Sequence, residues 1–179
     1  MNQGIHLTDL LMWFMGDPES VIGSAETRGR DVEVETMAMG LIRYRSGARG
    51  VLEATTLAYP ELPEYVEIVG ARGTLIFNGN ALQRLDLIDP TPEEEATKEE
   101  LLQVSAELAA ERERIIAAAP PCTAVPTVDM GHTPVVVDFV EAIREGRPPL
   151  VDGAEGRRAV ALITALYESS RNDSQPVAL

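Results

Sequence analysis

The residues best suited to chemistry lie at the start of the chain. Asn2, His6, Asp9 and Trp13 recur at i, i+4, i+7 and i+11, so a helix carries them on one face. Histidine titrates near neutral pH and can take or give a proton. Asp9, three residues on, and Asn2, four back, can both reach the ring, to orient it or to bond a substrate. The same spacing also suits a plainer arrangement, a buried His6 satisfied by Asp9 with no catalytic task.

Few other residues offer chemistry. His132 follows Gly131 just before a helix start, where it either caps that helix or points into a cleft. Cys122, the single cysteine, permits no internal disulfide and no cysteine-based metal site, and the proline-rich loop around it offers no histidine to activate it. Two histidines leave little room for zinc, so no metal site is expected. The patterns G-x-x-x-x-G-K-[ST], G-x-S-x-G and G-x-G-x-x-G do not occur, so no residue is assigned to cofactor binding. Fifteen basic against 29 acidic residues give a formal net charge of −14, which disfavours nucleic acid and anionic membrane surfaces as partners. No apolar run approaches the ~18 residues of a membrane span, and the single unpaired cysteine fits a reduced, cytoplasmic protein.

The elements that position these residues follow from periodicity. Gln3 to Met15 predicts a helix, apolar nearly all round and therefore buried, stopped by Gly16-Asp17-Pro18. Strands are expected at Val21–Thr27, Val34–Arg45, Gly50–Leu57, Tyr65–Val69, Thr74–Phe77 and Leu82–Ile88. Their short turns, Ser46-Gly47-Ala48-Arg49 and Gly70-Ala71-Arg72-Gly73, make neighbours antiparallel. Thr91-Pro92-Glu93-Glu94 is a capping box that opens an acidic helix running to about Ala118. The Glu93–Glu100 charge run reads as its solvated face. A helix from Thr133-Pro134 carries Val136, Phe139, Val140 and Ile143, and another follows the capping box Asp152-Gly153-Ala154-Glu155. Val177-Ala178-Leu179 adds a short strand. Met12, Met15, Met37 and Met39 read as core filler. The class is α+β, an open, mostly antiparallel sheet of about six strands with helices packed on one face.

The string Met-Asn-Gln-Gly-Ile-His-Leu-Thr-Asp-Leu-Leu-Met-Trp-Phe-Met-Gly resembles the start of the C-terminal domain in the Gfo/Idh/MocA (glucose–fructose oxidoreductase, inositol dehydrogenase, rhizopine catabolism) family. The order of later pieces agrees: Glu35-Thr36, the Arg45–Ala48 turn, Glu67–Leu75, Asp138–Pro149, Val151-Asp152-Gly153 and Tyr167–Ser170. The Thr91–Met130 stretch does not match and reads as an acidic helical insertion at about 91–119.

The resemblance implies an oxidoreductase using NAD or NADP on a sugar, cyclitol or related polyol. It implies His6 as catalytic acid/base, with Asn2, Gln3 and Asp9 near substrate and His132 a further substrate-binding candidate. Asn2 stands where the family commonly has aspartate. The resemblance also implies a homo-oligomer formed through the open sheet face. Residues 1–179 correspond to the substrate-binding and oligomerisation domain, without the Rossmann half that holds the cofactor. That predicts a chain inactive by itself and binding no cofactor alone. The alternative is a stand-alone, non-catalytic module that self-associates or binds a ligand.

Overall fold

The computed structural model describes residues 4–60, 62–79, 81–118 and 132–179. In chain order the elements are α1 (Gly4–Met15), β1 (Pro18–Glu26), β2 (Met37–Tyr44), β3 (Arg49–Thr55), β4 (Tyr65–Gly70), β5 (Gly73–Asn78) and β6 (Ala81–Leu87). After these come α2 (Pro92–Ala118), α3 (His132–Glu145), α4 (Gly153–Arg171) and β7 (Val177–Ala178). The class is α+β with antiparallel pairing, as the turns predict. The strands form two sheets, one of four and one of three. The chain divides into two compact units, Met1–Pro60 with Val135–Leu179, and Glu61–Pro134.

The first unit holds the sheet ordered β3-β2-β1-β7. Alternation along β2 buries Ala38, Ile42 and Tyr44 and turns Met39, Leu41 and Arg43 outward. Among the described residues of this unit, helices cover the buried face. There α4 lies on β1, α1 packs on α4, and Met12, Val21, Ile42, Tyr44, Leu52, Leu162 and Leu166 form the core. The approach of α4 is close enough to require glycine in the sheet, because a Cβ on Gly23 would lie 2.6 Å from Leu166 Cγ. Two serines fasten the helix there. Gly23 N donates to Ser169 Oγ at 2.9 Å, and Ala25 N donates to Ser170 Oγ at 2.9 Å.

Two expectations change here. The strand expected from Val34 starts at Met37, because Thr36 folds the preceding residues into a loop. Its Oγ1 accepts from Arg28 N at 2.8 Å and donates to Arg28 O at 2.9 Å, so Val34 and Glu35 leave the ladder. The helix expected to be buried on all sides buries only Thr8 and Met12, because it rests on α4 along one side. On α3, Ala142 is the one buried residue.

The second unit holds β4-β5-β6, with α2 packed on β6. The capping box forms as the spacing predicts, with Glu94 N donating to Thr91 Oγ1 at 3.2 Å and Thr91 N to Glu94 Oε2 at 2.9 Å. Arg72, in the β4–β5 turn, adds a bidentate pair to Glu94 at 3.0 and 3.1 Å. Leu82 N donates to Ser105 Oγ, tying the middle of α2 to β6.

Candidate functional site

The candidate site is the outward side of α1. Ile5, Thr8, Met12 and Met15 follow a three-four-three spacing and face the core cluster or its margin. That leaves His6, Asp9 and Trp13 on the other side, all exposed, with Trp13 at 77%. No side-chain hydrogen bond joins His6 to Asp9. The arrangement in which Asp9 satisfies a buried His6 is therefore not the one formed. Both groups stand ready for a partner outside the helix.

The C-terminal end of α1 is tied to α4. Arg158, near the start of α4, pairs with Asp17 just past α1 at 2.7 Å. Farther along α4 the Tyr167 hydroxyl donates to Glu35 Oε1 at 2.7 Å, which ties that helix to the loop before β2. Burial and the Glu35 carboxylate push the Tyr167 hydroxyl up to about 12, so it stays protonated and keeps donating. Sequence reasoning places both residues in family-like segments but does not pair them.

Asn2 and Gln3 lie outside the described residues, as does Cys122. His132 is exposed at the first position of α3 and belongs to the second unit. Among the described residues, no group of three or more His, Cys, Asp or Glu is placed to hold a metal. No described helix is long and apolar enough to cross a membrane.

A dinucleotide asks for a helix start whose free N–H groups meet its pyrophosphate. The two helix starts described together with their caps do not fit. At α4 the Asp152 carboxylate already takes Ala154 N and Glu155 N, at 2.8 and 3.0 Å. At α2 the Thr91 hydroxyl and Glu93, Glu94 and Glu95 occupy the first turn. Carboxylates at both positions repel a phosphate. The outward face of α1 can therefore move a proton and accept hydrogen bonds, but these residues form no cofactor cradle.

The profile of an oxidoreductase family's C-terminal alpha/beta domain matches residues 1–179. Among solved structures, the chain is similar to the WlbA dehydrogenase from Bordetella pertussis in complex with NADH and UDP-GlcNAcA. That likeness has a TM-score of 0.78 at 28% identity, covering 100% of this chain and 47% of that one. The WlbA dehydrogenase from Chromobacterium violaceum, in complex with the same two molecules, is similar at 30% identity and TM-score 0.77, covering 100% and 45%. A levoglucosan dehydrogenase with NADH and levoglucosan shares the fold at TM-score 0.63 and 22% identity, over 98% and 48%. The chain thus spans about half the length of the solved relatives it matches. Among curated proteins, none matches.

Proposed function

The chain belongs to the Gfo/Idh/MocA oxidoreductase family as its C-terminal alpha/beta domain, and on that premise we propose that it is the substrate-binding and oligomerisation half of an NAD-dependent sugar dehydrogenase. The observation that carries the reading is the outward placement of His6 and Asp9 on α1, while the opposite side of that helix is fixed to the core. In this reading the His6 imidazole takes the proton of a substrate hydroxyl as that carbon is oxidised. Asp9, with Asn2 and Gln3, exchanges hydrogen bonds with neighbouring hydroxyls. The hydride acceptor is held outside these residues, consistent with helix starts already filled by carboxylates. The chain alone is then inactive. The substrate class is a sugar, and the two relatives at 28% and 30% identity make a UDP-linked sugar acid the first to test. Self-association uses the uncovered face of the four-stranded sheet, and the compartment is the cytosol.

Titration calorimetry of the 179-residue chain tests this. Saturable binding of UDP-GlcNAcA, weakened in His6→Ala, with no binding of NADH, is the expected result. Saturable NADH binding by the chain alone refutes the half-site reading. A chain that self-associates and binds neither molecule favours the stand-alone module.

A further inference from the structure

The outward face of α1 carries one large aromatic side chain that proton transfer leaves unused. Trp13 is 77% exposed and is the single tryptophan of the chain. Phe14 packs against it in a T-shaped contact, with ring centroids 5.0 Å apart and planes 68° apart. That contact braces the indole and takes at most one of its two faces. Asp9 lies one turn back on the same side of the helix, and His6 three residues before that, both exposed. Among the described residues, no basic side chain pairs with Asp9.

The three side chains are spaced for one ligand. From Asp9 to Trp13 the helix rises about 6 Å, and from His6 to Asp9 about 4.5 Å. Long side chains on a helix lean toward its N-terminus, which directs the indole back over the turn that carries Asp9. An aromatic face beside a carboxylate suits a molecule with one apolar and one polar side. A pyranose ring is such a molecule, because its axial C–H bonds make a flat apolar face while its hydroxyls project from the rim. The indole takes the C–H face and Asp9 accepts from the rim hydroxyls. A protein partner is a poorer fit, since the charged Asp9 interrupts the apolar area. A nucleobase also stacks on an indole. With the reacting sugar at His6 and its base at Trp13, however, the diphosphate between them lies over the Asp9 carboxylate, which repels it.

We propose that Trp13 is the stacking platform of the site, seating the C–H face of a pyranose ring whose hydroxyls reach Asp9 and His6. The inference rests on the reading that this face of α1 binds a sugar, and it adds the residue that orients the ring.

The single tryptophan makes the test direct. Trp13 fluorescence of the 179-residue chain is titrated with UDP-GlcNAcA, and with UDP as the control that lacks the sugar. Calorimetry then compares Trp13→Ala and Trp13→Phe with the native chain, after circular dichroism confirms that both are folded. The expected result is a saturable fluorescence change with UDP-GlcNAcA and none with UDP. The dissociation constant rises about three- to tenfold in Trp13→Ala and stays near the native value in Trp13→Phe, which keeps an aromatic face. Binding that weakens in His6→Ala but not in Trp13→Ala overturns the platform and keeps the sugar reading. So does a Trp13→Phe variant as weak as Trp13→Ala, or a response to UDP as large as that to UDP-GlcNAcA. A native chain that binds no UDP-GlcNAcA overturns both.

Discussion

Ser169→Ala isolates the contact that seats α4, and with it α1, on the sheet. Ser169 is fully buried. Its Oγ accepts from Gly23 N at 2.9 Å and donates to Gln175 O at 2.6 Å. Alanine fits the space but strands one buried donor, the Gly23 amide, while the partly buried Gln175 carbonyl stays within reach of water. One stranded buried donor costs about 1–3 kcal/mol. Ser170→Ala is the internal control. Its Oγ accepts from Ala25 N at 2.9 Å in a partly buried setting, where water can replace it, so about 1 kcal/mol or less is expected. Urea unfolding followed by circular dichroism reads both. At an m value of about 2 kcal/mol per molar, Ser169→Ala lowers the midpoint by about 0.5–1.5 M with m unchanged. Hydrogen exchange at the Gly23 amide adds a local readout and should accelerate in Ser169→Ala alone. Equal losses in the two variants, or an unaltered Gly23 amide, would show that the hydroxyl does not bear the contact.

Other expectations concern packing, pH and the proposed chemistry. Leu166→Ala should cost about 2–5 kcal/mol in the same unfolding assay, because Leu166 fills the space over Gly23 and Gly40, whereas Leu108→Ala, at an exposed position, should stay within about 0.5 kcal/mol. The Tyr167 hydroxyl, raised to about 12 from an ordinary value of 10, gives stability that is present below pH 10 and lost as pH rises through about 12. Phenolate absorbance should show a late-titrating tyrosine that disappears in Tyr167→Phe, and a native-like titration in that variant would refute the assignment. In an enzyme that contains this domain together with its cofactor half, His6→Ala should lower kcat by about 10²–10⁴-fold while leaving the unfolding midpoint unchanged, and an unchanged kcat would remove His6 from the proton transfer.

Local features were legible where a few neighbouring residues decide them. The Thr91–Glu94 box closes on itself as its spacing requires. At Asp152–Glu155 half of the box forms. Asp152 caps the helix, but Glu155 turns to Arg158 at 2.7 Å, because an arginine one turn on is the stronger partner for its carboxylate. Long-range contacts left no such trace. The Tyr167–Glu35 pair spans 132 residues, and a single sequence carries no signal that joins two polar residues that far apart. The end of the loop before β2 was hidden for a similar reason. Val34 to Thr36 read as the start of a strand until Thr36 bonds across the loop to Arg28.

Burial was the property that periodicity misjudged on α1, and α1 and α3 together show why. An apolar stripe records which side of a helix must be kept from water. It does not record whether the cover belongs to the same stretch of chain. The inner side of α1 finds its cover in α4, yet Trp13 on the same helix stays exposed. On α3 the inversion is complete, with Phe139 56% and Ile143 67% exposed while the small Ala142 is buried. Scattered apolar residues on a surface are ordinary, but a whole helical face is not. The relatives of this chain are about twice its length, and the chain's own capped helix starts reject a dinucleotide. An exposed apolar face of this size, as on α3, is the kind of surface that further protein covers.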